Sequence, residues 1–200
     1  MIDISLLGPQ EPVGEFADVM ASAFQDYPVM VNAFRHAPGP RIEWVRGLAA
    51  LSASHRQDVS NPILIARDGE RTVGAAMLTL PGYEPSPDLE TAFCDYLDPA
   101  GPTSLPFFEA FFNAVSSVEV PRPHAFLKML GVDRAYQGRG VGRKLLERTI
   151  EIAAGTEGIV LDTEHERNLG LYRRFGFEVA GETAVGDMPV WVMWRPQNGG

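Results

Sequence analysis

Residues 124–146, HAFLKMLGVDRAYQGRGVGRKLL, decide how this chain is read. They predict a buried strand ending in Leu130, Gly131 and Val132, a short loop, and a glycine-rich turn. That turn is Gln137, Gly138, Arg139, Gly140, Val141 and Gly142, and it runs straight into an amphipathic helix over 139–154. A helix N-terminus carries backbone N–H groups without intrahelical partners and the positive end of the dipole, which together suit a phosphate. Glycines there remove side chains that would hold an anion off the backbone. The segment points to a phosphate-bearing ligand.

Register excludes two common phosphate motifs. Counting from Gly138, the Walker pattern needs glycine where Arg143 stands and a hydroxyl where Leu145 stands; the dinucleotide pattern needs its third glycine, again, at Arg143. What fits is Q-x-x-G-x-G, carried by Gln137, Gly140 and Gly142. Further on, a short apolar strand over 158–162 precedes N-x-x-x-Y-x-x-x-G-F, carried by Asn168, Tyr172, Gly176 and Phe177. Leu171 and Phe175 share one face of a helix expected over 168–175, and Gly176 stands where a left-handed cap belongs. The two motifs, in this order and spacing, resemble the two signatures of the GCN5-related N-acetyltransferase (GNAT) superfamily. The layout is closest to puromycin N-acetyltransferase-like members, with Ala23 to Pro28 after the first helix and a closing strand Trp191 to Arg195. The likeness is firm over 125–195, weak over 1–80 and architectural over 81–123.

The resemblance implies an α/β (α+β) fold, one domain over 1–200 whose mixed, mostly antiparallel sheet is flanked by helices, its parallel fourth and fifth strands splayed apart. It implies acetyl-CoA as co-substrate. The pantetheine arm would lie along Leu130, Gly131 and Val132, bonding their backbone. The pyrophosphate would sit on the backbone of Gln137, Gly138, Arg139, Gly140, Val141 and Gly142, with the Arg139 and Arg143 (or Lys144) side chains reaching it. Asn168 would bond the arm, although asparagine also suits a helix N-cap. Tyr172 would be the general acid for the departing thiolate, and a backbone N–H near Met129 or Leu130 would receive the oxyanion. The expected reaction is direct attack by the primary amine of a small molecule. A protein or peptide acetyltransferase and a non-catalytic acyl-CoA-binding module are the alternatives. The general base stays open among Asp26, Glu109, Glu119, Glu164 and Glu182, with His124 too far up its strand.

Composition agrees with a globular protein. The 200 residues are 45% hydrophobic and carry a net charge of −9, which disfavours nucleic acid as a partner. Basic residues nonetheless concentrate between Arg122 and Lys144, around the glycine turn. No apolar run is long enough for a membrane span, and no secretory signal precedes the first strand, so a cytoplasmic monomer or homodimer is expected. The single cysteine, Cys94, reads as a structural thiol. His165 followed by Glu166 has no matching Cys or His cluster, so no metal is expected.

Elsewhere the patterning predicts a strand over 2–7, helices over 13–25 and after Pro40, and strands over 62–67 and 73–80 joined at Asp68-Gly69. Two strands, over 177–183 and 189–195, close the chain, and Gly199-Gly200 should fray. Residues 81–123 depart from a minimal acetyltransferase. They hold half of the prolines, and a helix from about Ser104 to Ser117 puts Phe107, Phe108, Phe111 and Phe112 on one broad face. That face should pack on the sheet, with one end walling an acceptor pocket in the manner of a lid.

Overall fold

The structure, a computed structural model, describes residues 1–8, 10–55 and 60–197. In chain order its elements are β1 (Ile2–Leu6), α1 (Gly14–Phe24), α2 (Pro28–Ala33), α3 (Arg41–Ser54), β2 (Ile63–Asp68), β3 (Arg71–Thr79), α4 (Pro87–Leu97) and α5 (Ser104–Ser116). They continue with β4 (Ala125–Val132), α6 (Val141–Ile152), β5 (Gly158–Thr163), α7 (Glu166–Arg173), β6 (Glu178–Val185) and β7 (Met188–Pro196). The strands form one seven-stranded sheet in the order β1-β2-β3-β4-β5-β7-β6. Every neighbouring pair is antiparallel except β4 and β5, which run parallel. The mixed sheet and its parallel central pair are those the sequence predicts.

The central strands are apolar on both faces because both faces are covered. Side chains alternate across a strand, so Leu64, Ala66, Ala76 and Leu78 meet Val141, Leu145 and Leu146 of α6, while Ile63, Ile65, Ala75 and Met77 meet Phe16 and Met20 of α1. Gly74 and Gly131 allow these helices to approach. A Cβ on Gly74 would stand 2.8 Å from Val141 Cγ1, and one on Gly131 3.0 Å from Ala23 Cβ. Gly131 therefore serves helix packing, beside whatever its backbone does.

Two helices escape the sequence reading. Pro28 does end α1's register, but it also occupies the first turn of α2, where a missing N–H costs nothing. Ser86 accepts a hydrogen bond from the Asp88 N–H at 3.2 Å and caps α4, with Pro87, Asp88 and Glu90 in the first turn. Together α2, α3, α4 and α5 build a third apolar cluster, with Phe34, Leu97, Phe107, Phe108 and Phe111 in it. Phe112 departs from the expected buried face and is 50% exposed. Among the described residues no helix is long and apolar enough to cross a membrane. Gly199 and Gly200 lie outside the described residues.

Gly74→Ala should destabilise the protein by about 1–3 kcal/mol, because a buried β-branched neighbour has to move to admit the methyl group. Denaturant unfolding, read as a lowered midpoint at unchanged m-value, checks this.

Candidate active site

β4 bonds to β3 along its length but pairs with β5 only at Ala125↔Ile159 and Phe126↔Val160; beyond that the two strands part. The Asp133 N–H donates to the Val73 carbonyl at 2.9 Å, on the β3 side. Strand alternation then turns the backbone groups of Leu130 and Val132 toward the side that β5 has left. The Val132 carbonyl there accepts a hydrogen bond from Gln137 Nε2 at 3.2 Å. Lys128 is the extra residue of a bulge, since Met77 pairs with Met129 and Leu78 with Leu127. The gap holds a cavity of about 70 Å³ lined by Leu130, Leu161, Asn168 and Tyr172. It shares Phe24, Tyr27, Lys128, Met129, Asp162 and Glu164 with a larger cavity of about 580 Å³, whose far walls are Tyr83, Phe93, Phe108, Phe111 and Phe112.

At the other end of the slot, Gly140 takes φ 80° and stands just before α6; Gly138 takes φ 75°. Both are left-handed conformations that side chains oppose. The Gly140 carbonyl receives the Lys144 N–H, so the N–H groups of the preceding turn have no intrahelical acceptor. Val141 is buried against the core and offers the turn only its backbone. Gly142 lies within α6: its backbone is helical, and a Cβ would meet nothing closer than Val132 Cγ2 at 3.5 Å.

The basic side chains sort themselves by partner. Arg143 pairs with Glu147 at 2.8 Å on α6's solvent face, and Lys144 Nζ donates to the Ile2 carbonyl. Arg134 binds Asp26 at 2.6 Å and the Ser22 carbonyl. Arg139 lies over the Tyr136 ring at 4.8 Å with no carboxylate partner among the described residues.

At the chemical end, α7 starts at Glu166, so Asn168 sits inside the first turn and is not its N-cap. Its Nδ2 donates to Thr163 Oγ1 at 2.9 Å. Thr163 Oγ1 also lies 2.9 Å from the Tyr27 hydroxyl, which accepts the Glu164 N–H at 3.2 Å. Tyr172 packs edge-on against Phe177 and lines the small cavity. Burial, then the nearby Asp162 and Glu164 carboxyls, push its phenol well above the usual tyrosine range. It keeps its proton throughout the working pH range.

Of the carboxylates left open by sequence, Glu109 and Glu119 are exposed, and Glu182 is exposed and accepts the Trp191 indole N–H. Asp26 is held below the usual carboxylate range by hydrogen bonds from Arg134 and Arg41. Glu164 is different, being 4% exposed and lining both cavities. Asp162, unflagged by the sequence reading, lies two residues earlier on the same face and lines them too. Burial raises both carboxyls, and the charge of Asp162 raises Glu164 further. Lys128 reaches into the same space; desolvation holds its ammonium below the usual lysine range although water still touches it. Among the described residues no group of three or more His, Cys, Asp or Glu is placed to hold a metal ion.

The parallel central strands of the sheet thus part over a slot, with a helix start whose N–H groups lack intrahelical acceptors at one end and buried carboxyls at the other. The Acetyltransferase (GNAT) domain family matches residues 108–179. The N-alpha-acetyltransferase RimI of Mycobacterium tuberculosis is 46% identical over 55 residues, 26% of this chain and 34% of that protein, so the match spans about a third of this curated relative. A crystal structure of histone acetyltransferase HPA2 and related acetyltransferase from Corynebacterium glutamicum aligns at TM-score 0.73 with 25% identity, over 98% of this chain and 96% of that one. The PaiA N-acetyltransferase of Thermoplasma acidophilum, in complex with coenzyme A, shares the fold at TM-score 0.58 and 14% identity, over 98% and 99%. Over residues 108–179 the chain thus matches the GNAT domain family, and its fold is that of the Corynebacterium glutamicum acetyltransferase structure.

The two turn glycines should separate by stability. Gly140→Val should cost about 1–2 kcal/mol or more, from forcing a β-branched residue into a left-handed conformation. Gly142→Ala should be neutral or stabilising by up to about 1 kcal/mol, since alanine outranks glycine in a helix. Thermal denaturation of the unliganded protein reads both.

Proposed function

We propose that this chain transfers acetyl from acetyl-CoA to the primary amine of a small, apolar molecule by direct attack. The observation that supports this best is the meeting of the two cavities at Lys128, Met129, Asp162 and Glu164. One is a narrow slot along an open strand edge; the other is wide, aromatic-walled, and within the usual size range of small-ligand sites.

The residues present fit coenzyme A. The open backbone of Leu130 and Val132 offers an edge for the amide groups of a pantetheine arm, as an added strand would use it. The Gln137–Gly142 turn offers N–H groups to the pyrophosphate, with Arg139 at its rim, and Asn168 stands beside the slot. When bound, the co-substrate supplies an activated acetyl thioester. The chain's own part is to hold the acceptor amine in line from the aromatic cavity and to donate a backbone N–H near Met129 or Leu130 to the carbonyl oxygen as it gains charge. Tyr172 then gives its proton to the leaving sulfur. Its raised pKa makes full transfer to a thiolate uphill, which places its contribution toward the low end of general-acid effects.

A peptide α-amine is the second reading, favoured by the RimI relative. The aromatic walls from α4 and α5 favour a compact acceptor, and thiol release measured over small amines and short peptides separates the two.

Tyr172→Phe should lower kcat by about 10²-fold while leaving coenzyme A affinity and Tm nearly unchanged, since the ring's contacts survive. Full kcat in this variant, where chemistry limits the rate, removes Tyr172 from the mechanism. By calorimetry, Gly140→Val should lose coenzyme A binding, Gly142→Ala should keep it, and Arg139→Ala should weaken it by about 1–2 kcal/mol.

A further inference from the structure

An ammonium ion has to lose a proton before its nitrogen can attack, and Tyr172, kept protonated, cannot take it. We propose that Glu164, working as a pair with Asp162, is the general base, and that the acceptor enters the aromatic cavity as a cation drawn to this pair. The proposal deepens the acetyltransfer reading and rests on it.

Three observations carry it. Glu164 is 4% exposed and its carboxyl is hydrogen-bonded to the Asp162 carboxyl and the Tyr27 hydroxyl, yet no N–H or hydroxyl donor reaches its Oε1. A buried carboxyl oxygen left bare is costly and rare, and it calls for an explanation. The bare oxygen belongs to a residue at the junction of the two cavities, where an attacking nitrogen has to stand. The remaining groups around the pair do not neutralise it. Tyr27, from the α1–α2 connection, and Tyr172, from α7, present hydroxyls. Glu90 of α4 adds negative charge to the cavity wall, and Lys128 of β4 makes no ion pair with either carboxyl among the described residues. His165 packs edge-on against Tyr27. An ammonium-bearing acceptor standing at this junction would meet both carboxyls directly.

The environment also tunes the base. A carboxylate with an ordinary pKa of about 4.3 is a poor match for an amine near 10, whereas one raised by burial and by a like-charged neighbour comes closer. The arriving ammonium displaces the proton the pair holds when empty. Glu164 then takes one proton from the ammonium, the nitrogen lone pair forms the C–N bond, and the C–S bond breaks with its electrons on sulfur. Sulfur takes the Tyr172 proton, and the second proton shed by nitrogen restores Tyr172. One proton leaves through the acid pair, so the products are the amide, the thiol and that proton.

Linkage gives a readout independent of turnover. In the unfolded chain the Glu164 carboxyl ionises near 4.3, whereas the folded protein holds its proton to higher pH. Between those values the folded state binds more protons, so stability falls as pH rises through the window. Glu164→Gln should flatten that fall, giving an unliganded protein with a higher Tm than wild type at pH 8. A glutamate held as a paired carboxylate in the unliganded protein would give the opposite sign.

The test compares wild type and Glu164→Gln on two apolar acceptors, 2-phenylethylamine, a cation at neutral pH, and phenylhydrazine, already neutral there. The Gln variant should lose about 10²–10⁴-fold in kcat/KM on the amine at pH 7. The deficit should shrink toward the amine's own pKa and be far smaller on phenylhydrazine, with coenzyme A affinity by calorimetry unchanged. Equal loss on both acceptors, or no loss on either, overturns the base assignment alone. Absence of thiol release from wild type with any amine or peptide overturns the acetyltransfer reading, and this inference with it.

Discussion

β4 and β5 stay paired for two residues and then separate, and most of the site follows from that parting. Strand edges inside a sheet are normally saturated, because an unpaired buried N–H or carbonyl costs about as much as a lost hydrogen bond. Here each strand is secured by its other neighbour: β4 by β3, and β5 by β7 through six consecutive pairs from Gly158 to Thr163. The sheet can therefore open at its centre without unravelling. The opening leaves the Leu130 and Val132 backbone facing a slot, and the chain leaves β4 directly for the glycine turn. One continuous segment thus presents both an open strand edge and a turn whose N–H groups have no intrahelical acceptor.

The same constraint concentrates cost at the far end of the slot. Where β5 runs free of β4, its last residues have to be held from elsewhere. Tyr27 does this from the opposite side of the sequence, bonding Thr163 Oγ1 and accepting the Glu164 N–H. Asn168 ties the start of α7 to the same threonine. Asp162 and Glu164 are fixed in a dry setting that ordinary stability would not select, with one carboxyl oxygen bare. Strain of this kind persists where surrounding contacts over-determine it, and buried apolar neighbours such as Leu161 and Phe177 supply those contacts.

The strand, turn and helix around the slot were legible because their information is local. Gln137, Gly140 and Gly142 are read against one strand and one helix, and Asn168 and Tyr172 lie within one loop and one helix turn. The sequence reading of Arg143 left out its local partner: Glu147, four residues on, pairs with it on the helix surface. The start of α4 was likewise present in Ser86-Pro87-Asp88 and overlooked. The distinction between Gly140 and Gly142 is another matter, because it lies in a backbone dihedral that letters do not carry. Glu164 stood as one of five equals for a physical reason: what sets it apart is burial and the approach of Tyr27, 137 residues away in sequence.

The two sides of the site are built from different material. The slot is lined by the sheet and by α7, whose side chains belong to the largest apolar cluster, so a change there is felt through the whole domain. The wide cavity draws its aromatic walls from α4 and α5, which pack with α2, α3 and Met188 and Val190 of β7 in a cluster of their own. Val118, just past α5, meets Gly181 of β6 so closely that a Cβ there would stand 2.8 Å away, anchoring the insertion to the outer sheet edge instead of the slot. Replacing Phe93 or Phe112 at the mouth of the cavity therefore alters its shape without touching β4, the glycine turn or the acid pair. Acceptor choice is free to vary on this scaffold while the groups that would hold the thioester stay where the parting of two strands puts them.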